Sequence, residues 1–350
     1  MEGRNDNEEV AAQLNMGGYL HHASGLGHDL IVSLLLKHGA DPNIDANGDG
    51  MTPLVLAANG GHVGVAVALL SDARVDIGQR CGVGGHSALD LADVLNSASN
   101  ETGFSALHHA AKHNAVRSID VLVSAGADLE NRDGEGCTPL RVAASCDSKA
   151  ALLTLLGHGA DKESKGLDGQ TPLLDSLEHK LWGIAASLVA AGADVNVRGG
   201  PFGLSPLDYA VRRADGMDLA RQLLQRGAIV TDSSLGGRTA LHWAAWANAS
   251  AIDLLVEAGA NLEAKGGVDE ATPFHFAAGQ GGNAAAIEAL ARHGADVHAQ
   301  EKPSGRTPLH IAARNCQIEC SWETVDALLK AGADETRLDY QGQTPLDFLE

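Results

Sequence analysis

The chain has 350 residues, with 45 acidic and 25 basic side chains and a formal net charge of −20. A surface this negative repels phosphate backbones and anionic lipid heads, which argues against nucleic acid and membrane surfaces as general partners. Hydrophobic residues make up 44% of the chain but aromatic residues only 3%, a balance that suits thin alanine- and leucine-rich layers better than one thick core.

Residues 1–14 open on a polar, acidic stretch, Met1 to Val10, without the apolar run of a signal peptide, and are expected to be a polar segment or a short cap helix. The first element starts at Gly18-Tyr19-Leu20-His21 and stops at Gly39. From there one phrase returns about every 33 residues: Thr52-Pro53-Leu54, Thr138-Pro139-Leu140, Thr171-Pro172-Leu173, Ser205-Pro206-Leu207, Thr272-Pro273-Phe274, Thr307-Pro308-Leu309 and Thr344-Pro345-Leu346. Looser copies are Ser105-Ala106-Leu107 and Thr239-Ala240-Leu241. Between Thr52 and Ser105 the spacing is 53 residues, and Gly85 to Ala92 reads as one more first helix in register. Residues 77–102 are therefore taken as a degenerate half repeat or insert. A further surplus falls at 315–322, between the expected helices of the repeat that starts at Thr307. The last unit, 344–350, is a truncated repeat with room for one short helix.

Each repeat reads as the same local physics. The Thr or Ser hydroxyl is placed to cap a helix. Proline follows at the first helical position, where its missing N–H costs nothing. Leu140, Ala143 and Ala144, and their equivalents, recur at helical spacing and face a neighbouring layer. A second helix then ends on a glycine positioned as a left-handed stop: Gly39, Gly126, Gly159, Gly192, Gly227, Gly259, Gly294 and Gly332. Roughly ten residues remain before the next cap, room for an extended hairpin finger, with a glycine two residues before the cap at Gly103, Gly136, Gly169 and Gly203.

This pattern, in register with caps, stops and turns, resembles the ankyrin-repeat family, with about ten repeats over 15–350 counting degenerate ends. The resemblance implies an all-α solenoid of antiparallel helix pairs with β-hairpin fingers. It also implies that His21, His108, His242, His275 and His310, at the fourth motif position, hydrogen-bond the backbone between repeats. Asn196, preceded by Leu188 and Asp194-Val195, resembles the target of asparaginyl hydroxylases and is the candidate for hydroxylation; its other reading is a finger-base side chain that hydrogen-bonds the turn.

The remaining chemistry is thin. Cys316 and Cys320 are four apart but nothing completes a four-ligand zinc set, and no phosphate-binding loop, dinucleotide fingerprint or nucleophile elbow occurs. No enzyme activity, cofactor or metal is expected. Five scattered cysteines fit reduced thiols and a cytoplasmic or nuclear protein. The expected function is non-catalytic protein binding by a monomeric scaffold or adaptor, with a regulatory or targeting subunit, such as a ubiquitin-ligase substrate receptor or an enzyme inhibitor, as the alternative.

In the family, partners dock on the concave face, made by finger tips and by the two helix positions after the Ala-Ala pair. Carried over by register, that face holds Arg212 and Arg213, Trp246, and Arg314, with Phe202, Leu204 and Arg238 on nearby fingers. Tryptophan and arginine dominate binding hot spots because they join large contact area to directional polar groups. These residues are the expected docking site for a peptide or domain with apolar and acidic anchors. Trp243, Phe276 and Tyr209, at the fifth motif position, are expected in the core.

Overall fold

In the computed structural model, the described residues are 18–45, 51–60, 62–76, 103–124, 126–279, 283–319 and 322–349. Segment 1–14 and the 77–102 insert lie outside them. The chain divides into two compact units, Met1–Ser176 and Leu177–Glu350.

The first unit is built from pairs of short helices: α1 (Tyr19–Gly25) with α2 (Asp29–Lys37), α3 (Pro53–Asn59) with α4 (Val63–Leu70), α5 (Ala106–Lys112) with α6 (Val116–Ser124), and α7 (Pro139–Ser145) with α8 (Lys149–Gly157). Next comes α9 (Pro172–Glu178). The second unit continues with α10 (Trp182–Ala190), α11 (Pro206–Val211), α12 (Met217–Gln225), α13 (Ala240–Ala247), α14 (Ile252–Glu257), α15 (Pro273–Ala278), α16 (Ala284–Arg292), α17 (Pro308–Glu319) and α18 (Trp322–Lys330), and ends on a one-turn 3₁₀ helix at Pro345–Phe348. Every motif proline stands at the first position of its helix, as the spacing predicts. First helices pack on first helices, as α5 on α7 and α13 on α15, and second helices pack on second helices, as α16 on α18. Their shared faces are dry: Leu140, Ala143, Ala144, Leu152 and Leu155 have no exposed surface.

The glycine stops are where the spacing puts them. Gly159 sits at φ 94°, and beyond it Ala160 N–H donates to the Leu155 carbonyl at 3.0 Å, closing the end of α8. Finger glycines are also left-handed, and at Gly103 (φ 73°) a Cβ would lie 2.5 Å from the Gly134 backbone nitrogen. The fingers themselves differ from the expected hairpins. They contain single antiparallel bridges, Gly199 with Leu204, Ser233 with Thr239 and Gly266 with Ala271, and no ladder among the described residues. So few residues separate each finger's two arms that one bridge exhausts the pairing. Neighbouring fingers are instead tied to each other by lone backbone bonds, such as Leu235 N–H to the Phe202 carbonyl at 2.9 Å.

A second difference concerns residues 315–322. The surplus does not form a loop; α17 runs on through Glu319 and α18 starts at Trp322. In three other repeats the helix pair turns on a left-handed residue, Asn114 (φ 56°), Asp147 (φ 56°) or Lys180 (φ 62°). Asn315 to Glu319 contains neither glycine nor proline, so nothing stops the helix there.

Three sets of hydrogen bonds join successive repeats. The first is the histidine set. Thr239 N–H donates to Nδ1 of His242 at 3.0 Å, which leaves the hydrogen on Nε2, and Nε2 donates to the Ala271 carbonyl of the next repeat at 3.1 Å. His108, His275 and His310 repeat the arrangement, reaching Cys137, Arg306 and Gln343, and His21 reaches Met51. In the second set, a side chain between the helix pair reaches the end of the preceding first helix: Ser148 to Lys112, Asn248 to Val211, Asn283 to Ala245. The third lies at the finger base. Asn43 donates to the Arg74 carbonyl and accepts from Asp76 N–H, and Asn196 does the same with Gly227 and Ile229 at 3.2 and 2.9 Å.

Where the fourth position is not histidine the interface is rebuilt. Arg141 is buried there, pairs with Asp168, and lies 3.6 Å from Asp175. Burial opposes its charge, but Asp168 and Asp175 together hold the guanidinium above its ordinary range. Asp208 takes the place in the repeat at Ser205, where its carboxylate accepts from Ser205 N–H and Oγ. Burial pushes that carboxyl up to about 6.

The histidine set makes stability depend on acidity. Burial lowers His242 and His275 to about 4, and lowers His108 and His310 as well. Between the unfolded value near 6.5 and these folded values the unfolded chain binds protons that the folded chain refuses, so stability falls as pH falls. Asp208 and Glu301, both raised by burial, act in the opposite sense because the folded form gains their protons. Four imidazoles outweigh two carboxyls. We expect the melting temperature to drop from pH 7 to pH 5, with His242 and His275 each contributing about 2 kcal/mol. Melts followed by circular dichroism test this: His242→Gln should lower stability at pH 7 and reduce the acid dependence, and a pH-independent melting temperature in the parent chain rejects it.

Candidate functional site

In the second unit, first helices and fingers enclose a groove of ≈ 640 Å³. Its floor comes from α13, where Trp243 and Trp246 stand three residues apart and so share one face of the helix. The two indoles meet edge-on, with ring centres 6.3 Å apart. Trp243 is 8% exposed and Trp246 43% exposed. Phe276 on α15 and Ile311 on α17 extend the apolar floor, and fingers supply Phe202, Arg238, Asp269 and Glu301 along the side.

Two guanidinium groups are stacked into this floor. Arg212, at the end of α11, has its guanidinium carbon 5.0 Å from the Trp243 ring centre and 5.7 Å from that of Trp246. Arg238 lies 5.4 Å from Trp243 and 5.2 Å from Phe276. Charge is attracted to the faces of these rings by their quadrupoles, by about 0.5–2 kcal/mol for each contact depending on solvent access. Stacking leaves the outer N–H groups of each arginine free to bind elsewhere. Two donors at the floor, Nε1 of Trp243 and Nε of Arg238, are buried without a hydrogen-bond partner among the described residues.

The structure brings together four of the seven residues expected at the docking site: Trp246, Arg212, Arg238 and Phe202 all line the groove. Three fall elsewhere. Leu204 is only 3% exposed, because its backbone pairs with Gly199 across the finger and turns the side chain into the core; its placement on the docking surface is corrected. Arg213 is exposed but lines a smaller hollow of ≈ 320 Å³ beside Trp182 and Tyr209, and its guanidinium pairs with Asp215 at 2.9 Å. Arg314 is exposed one turn beyond Ile311 and is not part of the groove lining.

The fifth motif position is also corrected. Trp243 is buried as expected, yet it forms the groove floor, and Tyr209 and Phe276 are half-buried. The position is not uniformly core: Val142 there is 5% exposed, while Phe276 lines the groove. The signal was present in the sequence as the three-residue spacing of Trp243 and Trp246, whereas no motif marks Asp269 or Glu301. Asn196, the candidate for hydroxylation, has its amide engaged as both donor and acceptor at the finger base. Cys320 and the Cys316 side chain lie outside the described residues. Among the described residues no group of three or more His, Cys, Asp or Glu side chains is arranged to hold a metal ion, and no helix is long and apolar enough to cross a membrane.

Comparison with known proteins bears on the whole chain. Residues 88–166, 176–266 and 268–348 match the family described as ankyrin repeats in three copies, 35–92 match ankyrin repeats in many copies, and 19–47 match the single ankyrin repeat. An ankyrin repeat protein of fowlpox virus (strain NVSL) is 33% identical over 141 residues, 34% of this chain and 40% of the viral protein. Alpha-latrocrustotoxin-Lt1a of Latrodectus tredecimguttatus is 29% identical over 122 residues, 35% of this chain and 7% of the toxin. The matches thus span under half the length of these relatives. Among solved structures, a chain from the complex of a predatory endopeptidase of Bdellovibrio bacteriovorus with an immunity protein superposes with a TM-score of 0.46 at 22% identity, covering 67% of this chain and 99% of that one. The human ASB11 ankyrin repeat domain gives a TM-score of 0.44 at 22% identity, covering 71% and 92%.

The two tryptophans should separate stability from surface function. Trp243→Ala removes a buried ring and two cation–π contacts and should cost roughly 3–5 kcal/mol, whereas Trp246→Ala should cost under about 1 kcal/mol. Urea titrations of both variants check this, with Leu204→Ala as a core control expected to lose roughly 2 kcal/mol or more. Equal losses for Trp243→Ala and Trp246→Ala reject the division into floor and surface.

Proposed function

Because the chain belongs to the ankyrin-repeat family, whose repeats mediate protein–protein interaction, we propose that it is a non-catalytic scaffold or adaptor that docks a partner on the finger-side face of the Leu177–Glu350 unit. One observation carries this reading: an open aromatic groove in which a half-exposed tryptophan and two stacked arginines lie side by side. Large flat rings with adjacent directional charge are the composition that dominates protein-binding hot spots.

The disposition of the histidines supports a non-catalytic role. The side chain best suited to proton transfer near neutral pH is committed, at His108, His242, His275 and His310, to two hydrogen bonds inside the fold and is kept neutral by burial. The charge of −20 favours a protein partner over nucleic acid.

The test is capture of native partners by the full chain, with Trp246→Ala/Arg212→Glu as the matched bait and mass spectrometry as the readout. A partner retained by the parent and lost from the variant, at unchanged melting temperature, is the expected result. Partners held equally by both baits place binding away from this face and overturn the proposal.

A further inference from the structure

The groove also carries a charge pattern that specifies what it accepts. In the second unit five arginines pair with aspartates: Arg198 with Asp232, Arg213 with Asp215, Arg221 with Asp218, Arg292 with Asp253 and Arg306 with Asp339. Arg212 and Arg238 are held differently, on the aromatic rings of the groove. Neither has an ion pair or a side-chain hydrogen bond among the described residues; their guanidinium groups contact aromatic rings alone. The groove's two carboxylates form no ion pair with them. Glu301 accepts from the Ser304 hydroxyl at 2.8 Å, and Asp269 stands exposed on the following finger without an ion pair to either arginine.

We infer that this groove takes a segment of a partner protein in which a carboxylate side chain lies next to an aromatic or large aliphatic one, the carboxylate held by Arg212 and Arg238 and the apolar side chain laid on Trp246 and Phe276. This rests on the docking reading above and specifies its chemistry. Both guanidinium groups lie 5.0–5.4 Å from one ring centre, that of Trp243. They are therefore fixed in orientation before any ligand arrives, which lowers the ordering cost of binding. A carboxylate is the anion that the planar fork of arginine matches best on a protein partner. A uniformly acidic string is disfavoured, because it would place charge against Asp269. The fingers succeed one another as Phe202, Arg238, Asp269 and Glu301, so the segment is acidic toward the Phe202 end and neutral or basic toward the Glu301 end.

The experiment is selection of random peptides displayed on phage against the purified full chain, followed by fluorescence anisotropy on the retained sequences. The expected outcome is enrichment of an acidic residue beside an aromatic or leucine residue. Replacing that acid by its amide should weaken binding about tenfold or more. Arg212→Gln/Arg238→Gln should do the same, while Arg213→Gln, whose guanidinium is already paired, changes nothing. Should the double variant lose its fold by circular dichroism, the acid-to-amide peptide and a salt titration on the parent chain decide. Enrichment of basic or uncharged motifs, absence of any enrichment, or equal affinity for acid and amide peptides overturns the inference. A native partner that is still captured, and still lost with Trp246→Ala, would then keep the docking face while removing this peptide chemistry from it.

Discussion

Among the described residues almost no helix is long enough to stand alone. Most have six to nine residues, and helices that short are marginal in water even with favourable sequences. A single pair buries one face at most, so each repeat depends on the repeats stacked against it. The alanines and leucines of the motif supply contact area, and the three hydrogen-bonded sets supply register. Apolar layers could slide or rotate at small cost. A layer whose imidazole must reach one carbonyl, and whose finger-base asparagine must both donate and accept, has one position only.

Histidine suits the fourth position because a neutral imidazole is a donor and an acceptor at opposite ends of a rigid ring. It caps its own helix with Nδ1 and reaches the next repeat with Nε2, as in His108 and His242. Arg141 and Asp208 each reproduce part of this. Arginine has donors only, so it reaches forward to Asp168 but its side chain accepts nothing at the cap. Aspartate accepts at the cap but donates nothing forward. The fold survives both replacements because the apolar layers continue at those interfaces, and beside Asp208 the Asn248 side chain still reaches the Val211 carbonyl.

This explains which parts of the structure were legible in the sequence. Motif proline, capping hydroxyl, stop glycine and imidazole each obey a local steric or hydrogen-bonding rule, so their spacing reported helices, turns and inter-repeat bonds directly. Residues whose place depends on a neighbouring repeat were less legible. Leu204 was misplaced because its direction is set by the bridge to Gly199, and α17 was cut short because a surplus of residues reads as a loop when only spacing is counted. The arginine cluster was visible as composition, but which arginines are paired depends on aspartates near or far in the chain, as with Arg213 and Asp215 or Arg292 and Asp253.

The same division separates structure from recognition. The fourth motif position, the alanine pair and the stop glycine are committed to neighbouring layers and leave little freedom for change. The positions after the alanine pair, and in the second unit the fifth-position Trp243 and Phe276, border the groove on the finger side, where the layers leave room. Trp243 stands at the join: its ring is buried in the fold, yet it also holds Arg212 and Arg238 at the groove. The buried Nε1 of Trp243 and Nε of Arg238, without hydrogen-bond partners among the described residues, cost the isolated fold stability. In a chain with 45 carboxylates that cost is easily removed by substitution. Its presence is the physical reason to read the groove as a surface shaped for something outside the chain.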